Sequence, residues 1–265
     1  MSTLRILRAN AYYELKQINN QYTPSLSIEK RVSLTRLFCR CLHNIAFVAI
    51  LSDADHEQFV INLIRAGENW RRVLEDARGR SYGVPASYNE ALMGVIACDD
   101  ITRAKEIIKF SSNQLIAPEY EDEFFYAFFI QQLVLSEFGE REVFPPLGVV
   151  YTQLYNALDG LSQTRAELCS ALLEQNQVRF VESLGSLNKE FETDMEDKAS
   201  NPSIPPETIM ASRYIWLEGM ALLNIAKHAG MNIHATFKFI PQIWYKQVDI
   251  EYQNDFILGE PMDIP

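Results

Sequence analysis

Histidine, cysteine and glycine are all scarce in this chain. Its four histidines, His43, His56, His228 and His234, show neither the His-x-x-x-His nor the His-Glu-x-x-His spacing that puts two metal ligands on one helix face. Eleven glycines in 265 residues form no Gly-x-x-x-x-Gly-Lys-Ser/Thr phosphate loop, no Gly-x-Gly-x-x-Gly dinucleotide turn and no Gly-x-Ser-x-Gly nucleophile elbow. Cys39, Cys41, Cys98 and Cys169 have no framework spacing and sit among apolar neighbours, so they read as small buried thiols in a reducing compartment. No cofactor and no metal are expected.

Two further absences narrow the class. The first residues, "MSTLRILRANAYYELKQ", lack the apolar core and cleavage site of a signal peptide. The longest apolar runs, near 45–51, 124–135 and 214–226, fall short of the roughly 18 residues that cross a bilayer. A soluble, cytoplasmic protein without a membrane partner is the expectation. Strand-like alternation is nearly absent, whereas helical spacing recurs throughout.

The expected fold is therefore all-α, a stack of helical hairpins. Helices are predicted near 3–20, 27–51, 54–78, 86–97, 100–112, 119–138, 146–158, 162–174, 176–195, 206–229 and 236–247. Three stretches, "NIAFVAILSDADHEQFVINLI", "ALMGVIACDDITRAKEIIKF" and "ELCSALLEQNQVRFVESLGSL", each read as a helix, a short polar turn and a second helix. Such hairpins stack into grooves. One domain over 1–265 is expected, with 196–206 as the hinge if it divides into two lobes.

What is abundant is acid. The chain holds 35 Asp+Glu against 24 Lys+Arg, a net charge of −11. Residues 1–118 carry 15 basic and 12 acidic groups, and residues 119–265 carry 9 and 23, so the excess lies in the second part. That field repels nucleic acid, and it either steers a basic partner toward that half or serves solubility alone. The stretch "APEYEDEFFYAFFIQQLVL" concentrates it: Glu119, Glu121, Asp122 and Glu123 precede an aromatic run. A helix N-terminus uses two or three such acids, and the surplus is assigned to a recognition surface. Glu192, Asp194, Glu196 and Asp197 of "EFETDMED" join it, as do the tail acids Asp249, Glu251 and Asp255, with Tyr120, Tyr245 and Tyr252 as aromatic anchors.

Other clusters have plainer readings. Ser52 or Asp53 caps a helix whose first turn holds Asp55, His56 and Glu57, and Asp99 and Asp100 do the same for the next. Arg65, Arg71, Arg72, Arg78 and Arg80 interleave with Glu68, Glu75 and Asp76, which suits intramolecular pairing rather than a nucleic-acid patch. Glu218, inside the apolar "YIWLEGMALLNIA", needs an arginine or hydroxyl partner if buried; catalysis by it is the sharper alternative.

The segments "VIACDDITRAKEII", "ASRYIWLEGMALLNIAKHAGMNI" and the later "FIP", over roughly 40–245, resemble the immunity protein 49 family. The resemblance implies a non-enzymatic cytoplasmic inhibitor that binds a cognate bacterial toxin domain and blocks its active site. It brings no catalytic residues. A helical adaptor for another cellular protein is the rival reading, and an enzyme using Glu218 the third.

Overall fold

The computed structural model describes residues 3–159, 161–246, 248, 250 and 252–264, apart from the side chain of Glu207. Two expected recognition residues, Asp249 and Glu251, lie outside the described residues. The fold is all-α. Its helices are α1 (Thr3–Gln21), α2 (Ile28–Asp53), α3 (His56–Gly79), α4 (Glu90–Ala97), α5 (Ile101–Phe110), α6 (Glu121–Leu135), α7 (Leu147–Ala157), α8 (Thr164–Leu173), α9 (Gln177–Ser200), α10 (Pro206–Ile209) and α11 (Leu217–His228). No strand occurs among the described residues.

Two expected helices are corrected. The long helix predicted over 206–229 is broken: α10 stops at Ile209, a 3-10 turn covers Ser212–Tyr214, and Ile215 is extended (φ −129°, ψ 114°). The break is held by Trp216, whose N–H donates to the Phe239 carbonyl at 2.9 Å instead of to its own helix. Both Ile215 and Trp216 are buried there. The helix predicted over 236–247 shrinks to a 3-10 turn, Gln242–Tyr245, because Pro241 supplies no N–H and Phe239 adopts a positive φ of 69°.

The chain forms two compact units that are discontinuous in sequence. Unit 1 comprises Met1–Tyr82, Met195–Trp216 and Phe239–Pro265; unit 2 comprises Gly83–Asp194 and Leu217–Lys238. In unit 1, α2 packs along α3 and α1 lies on α2. Phe38, Leu42, Phe59 and Leu63 are fully buried between them. By length and composition α2 is apolar enough to cross a membrane, although 72% of its most apolar window is buried within the protein. The C-terminal segment is stapled to this unit. Asn69 donates to the Phe256 carbonyl and accepts from the Leu258 N–H, both at 2.8 Å, and Asn19 does the same for Glu260 and Gly259 at 3.0 and 2.7 Å.

Unit 2 is built around α4, α6 and α11. The eight-residue α4 is buried from Ala91 to Ala97 and packs against α11. The Asn224 amide of α11 donates to the Ile96 and Ala97 carbonyls at 2.9 and 3.1 Å, satisfying groups that a helix C-terminus leaves open. Helix α6 packs on α7 and α8, burying Phe124, Phe128, Phe129 and Ile130. Of the three predicted hairpins, α2–α3 and α4–α5 pack as pairs; α8 and α9 share a tight turn at Gln175 (φ 50°) but barely touch beyond it.

Candidate functional site

A cavity of about 500 Å³ opens within unit 2, a size usual for ligand pockets. Four helix starts meet around it. Ser87, Asn89 and Glu90 come from the entry to α4, Asp122 and Glu123 from the first turn of α6, Ser162 and Arg165 from the entry to α8, and Leu217 and Glu218 from that of α11. Leu154 of α7 and Leu158 just after it, with Met93, Leu161 and Leu217, form the apolar lining, and Glu190 of α9 adds a further acid.

At its centre is the residue flagged by the sequence. Glu218 accepts the Tyr126 hydroxyl at 2.8 Å and faces the Arg165 guanidinium at 3.4–3.5 Å. Arg165 also lies over the Tyr126 ring, 5.0 Å from its centroid. The Glu218 charge raises the Arg165 pKa, and burial pushes the Tyr126 hydroxyl well above its ordinary range. Burial likewise raises the neighbouring Cys169 thiol, which therefore carries no thiolate near neutrality. Glu218 thus has the arginine and hydroxyl partners that a carboxylate in an apolar helix needs.

The cavity holds five carboxylates, Glu90, Asp122, Glu123, Glu190 and Glu218, and one guanidinium. Four of those acids sit in first turns, where a helix supplies about half a positive charge. Those four acids share three termini, which together with Arg165 offset roughly half of the five charges, so the lining stays net negative. Glu190 accepts from the Ser162 and Thr164 hydroxyls at 2.8 and 2.7 Å, and Glu123 from the Tyr120 N–H at 3.4 Å.

The expected recognition residues fall in both units. Glu119, Tyr120, Glu121, Asp122, Glu123, Glu192 and Asp194 belong to unit 2, whereas Glu196, Asp197, Tyr245, Tyr252 and Asp255 belong to unit 1. Several are already engaged. The Glu119 carboxylate accepts from the backbone N–H groups of Ile116, Ala86 and Ser87 at 3.1, 3.3 and 3.0 Å, so it ties two loops together. Asp255 pairs with Arg65, whose guanidinium lies 4.1 Å over the Phe256 ring. Tyr252 donates to the Asp255 carbonyl, and Glu192 pairs with Lys238. Tyr120, 72% exposed, and Tyr245, 45% exposed, remain accessible. Sorting charge by unit sharpens the asymmetry. Unit 1 holds 15 Lys+Arg and 16 Asp+Glu, net −1, and unit 2 holds 9 and 19, net −10.

The remaining clusters resolve into packing. Asp55, rather than Ser52 or Asp53, caps α3 by accepting from the Gln58 N–H at 2.9 Å, and Asp53 pairs with Arg8. Asp100 caps α5, while Asp99, in the left-handed region, holds Lys227 and His228 at the end of α11. Cys39 donates to the Ala66 carbonyl and Cys41 to Glu14. Glu68 is buried between Arg71 and Arg72, Glu75 joins Arg71, and Arg80 and Arg31 meet Asp76.

Sequence reasoning missed Glu90, Arg165 and Glu190 as neighbours of Glu218. Each looks like an ordinary helix-surface charge, and only the convergence of α4, α8, α9 and α11 joins them. No family model matches the chain, and neither a curated protein nor a solved structure does.

Proposed function

We propose that this protein is a non-catalytic immunity protein that binds a basic toxin domain in the bacterial cytoplasm and occludes its active site. The observation that carries this reading is the concentration of net charge, −10 on unit 2 against −1 on unit 1, around an acid-rimmed cavity with an apolar wall. An acidic unit attracts a cationic surface over a distance, and an apolar wall rewards close seating once it arrives. The resemblance of "VIACDDITRAKEII" and "ASRYIWLEGMALLNIAKHAGMNI" to the immunity protein 49 family names the class of partner. Glu218 already accepts the Tyr126 hydroxyl and faces Arg165, which favours a charge-pairing role over that of a general base.

Co-expression with the protein encoded beside it tests this. Growth should be rescued when that neighbour is toxic, and the two should co-purify at low salt. Failure to rescue, with both proteins folded and present, would remove the immunity reading.

A further inference from the structure

The unit 2 cavity contains an internal cation that is poorly seated. A charge-assisted N–H···O bond closes to about 2.7–2.9 Å. The Arg165 nitrogens stay at 3.4–3.5 Å from Glu218, and the side chain is 48% exposed. Its guanidinium therefore rests against Glu218 and the Tyr126 face through long contacts. Further acids are within the same cavity: Asp122 and Glu190 line it with Glu218, and Leu154, Leu158 and Met93 add apolar lining against which a methylene stem can lie.

We propose that this cavity receives an arginine side chain from the basic partner, and that Arg165 is a placeholder which the incoming guanidinium displaces. The inference rests on the toxin-binding reading for its partner, but not for the chemistry of the seat. A planar guanidinium matches the seat because Glu218 presents both oxygens and Tyr126 presents a ring face, the pair of contacts that arginine uses and lysine uses less well. The apolar wall holds the aliphatic stem, and five carboxylates against one guanidinium leave the cavity lining net negative. Displaced into water, Arg165 loses only the long contacts it now makes, so the exchange favours a better-seated guest.

The experiment titrates the full-length protein with N-acetyl-arginine amide, following the Leu154 and Leu158 methyl signals by NMR. N-acetyl-lysine amide, N-acetyl-norleucine amide and spermidine serve as comparisons. The arginine compound should bind saturably and most tightly. Arg165→Gln should tighten it several-fold, and Asp122→Asn should weaken it about tenfold, the worth of one charged contact of about 1.4 kcal/mol. Glu218→Gln should abolish it; should that variant not fold, Asp122→Asn and Arg165→Gln still decide. Equal binding of the norleucine compound, tighter binding of spermidine, or weaker arginine binding in Arg165→Gln would each overturn the proposal. These outcomes do not depend on any toxin: the seat can exist while co-expression fails, and growth rescue that survives unchanged in Asp122→Asn and Glu218→Gln would sink the seat alone.

Discussion

His43 is buried in the α2–α3 core beside Phe47, and its Nε2 has no hydrogen-bond partner. Desolvation lowers its pKa to about 4, from 6.5 in the unfolded chain. Above 6.5 the ring is neutral in both states and has no effect on the pH dependence. Between 6.5 and about 4 only the unfolded state takes up the proton, so stability falls as pH falls. At pH 5 that loss is roughly 2 kcal/mol. His56, whose pKa burial also lowers, adds in the same direction. Urea midpoints at pH 7 and pH 5 should show His43→Leu losing less stability over this interval than the parent, with equal or greater stability at pH 7. Equal losses in the two proteins would refute the buried neutral imidazole. At Glu119 the prediction separates packing from recognition. Removing an acceptor of three backbone N–H groups in Glu119→Ala should cost about 2–3 kcal/mol by denaturant unfolding, and leave partner affinity within about twofold at a temperature where the variant is folded.

Among the elements, α1 to α9 lie close to where hydrophobic periodicity and capping residues put them, because each carries its own start and stop. Ser27 before α2, Asp55 before α3 and Asp100 before α5 are local signals that accept from the N–H three residues on. The last part of the chain obeys no local rule. Trp216 and Phe239 exchange a backbone bond over 23 positions, and the C-terminal segment takes its conformation from Asn19, Arg65 and Asn69, residues far away in sequence. For the same reason the pairing of Arg65 with Asp255 and the approach of Arg72 to Glu260 are not legible in the sequence. Glu218 was identifiable in advance as a charge in an apolar helix; the arginine and tyrosine that answer it come from α8 and α6 and were not. Asn69→Ala should leave the helices intact and release the C-terminal segment. Amide exchange at Phe256–Gly259 should quicken by at least about tenfold while the centre of α3 is unchanged. Uniform acceleration across unit 1 would show instead that Asn69 supports the core.

For the whole molecule, the claim is that one unit carries nearly all of the excess negative charge and uses it to draw in a cationic protein. Interleaved Arg71, Arg72 and Arg80 keep unit 1 close to neutral, so it contributes little to long-range attraction. The most direct measurement is the association rate with the proposed basic partner, by stopped flow from about 0.05 to about 0.5 M salt, where the Debye length shrinks from above 10 Å toward a few ångströms. Steering by unit 2 predicts a fall of at least about tenfold, flattened by Asp122→Asn with Glu190→Gln and unaltered by Asp263→Asn in the tail. A rate indifferent to salt, or a salt dependence that follows the tail variant and not the cavity pair, would contradict it.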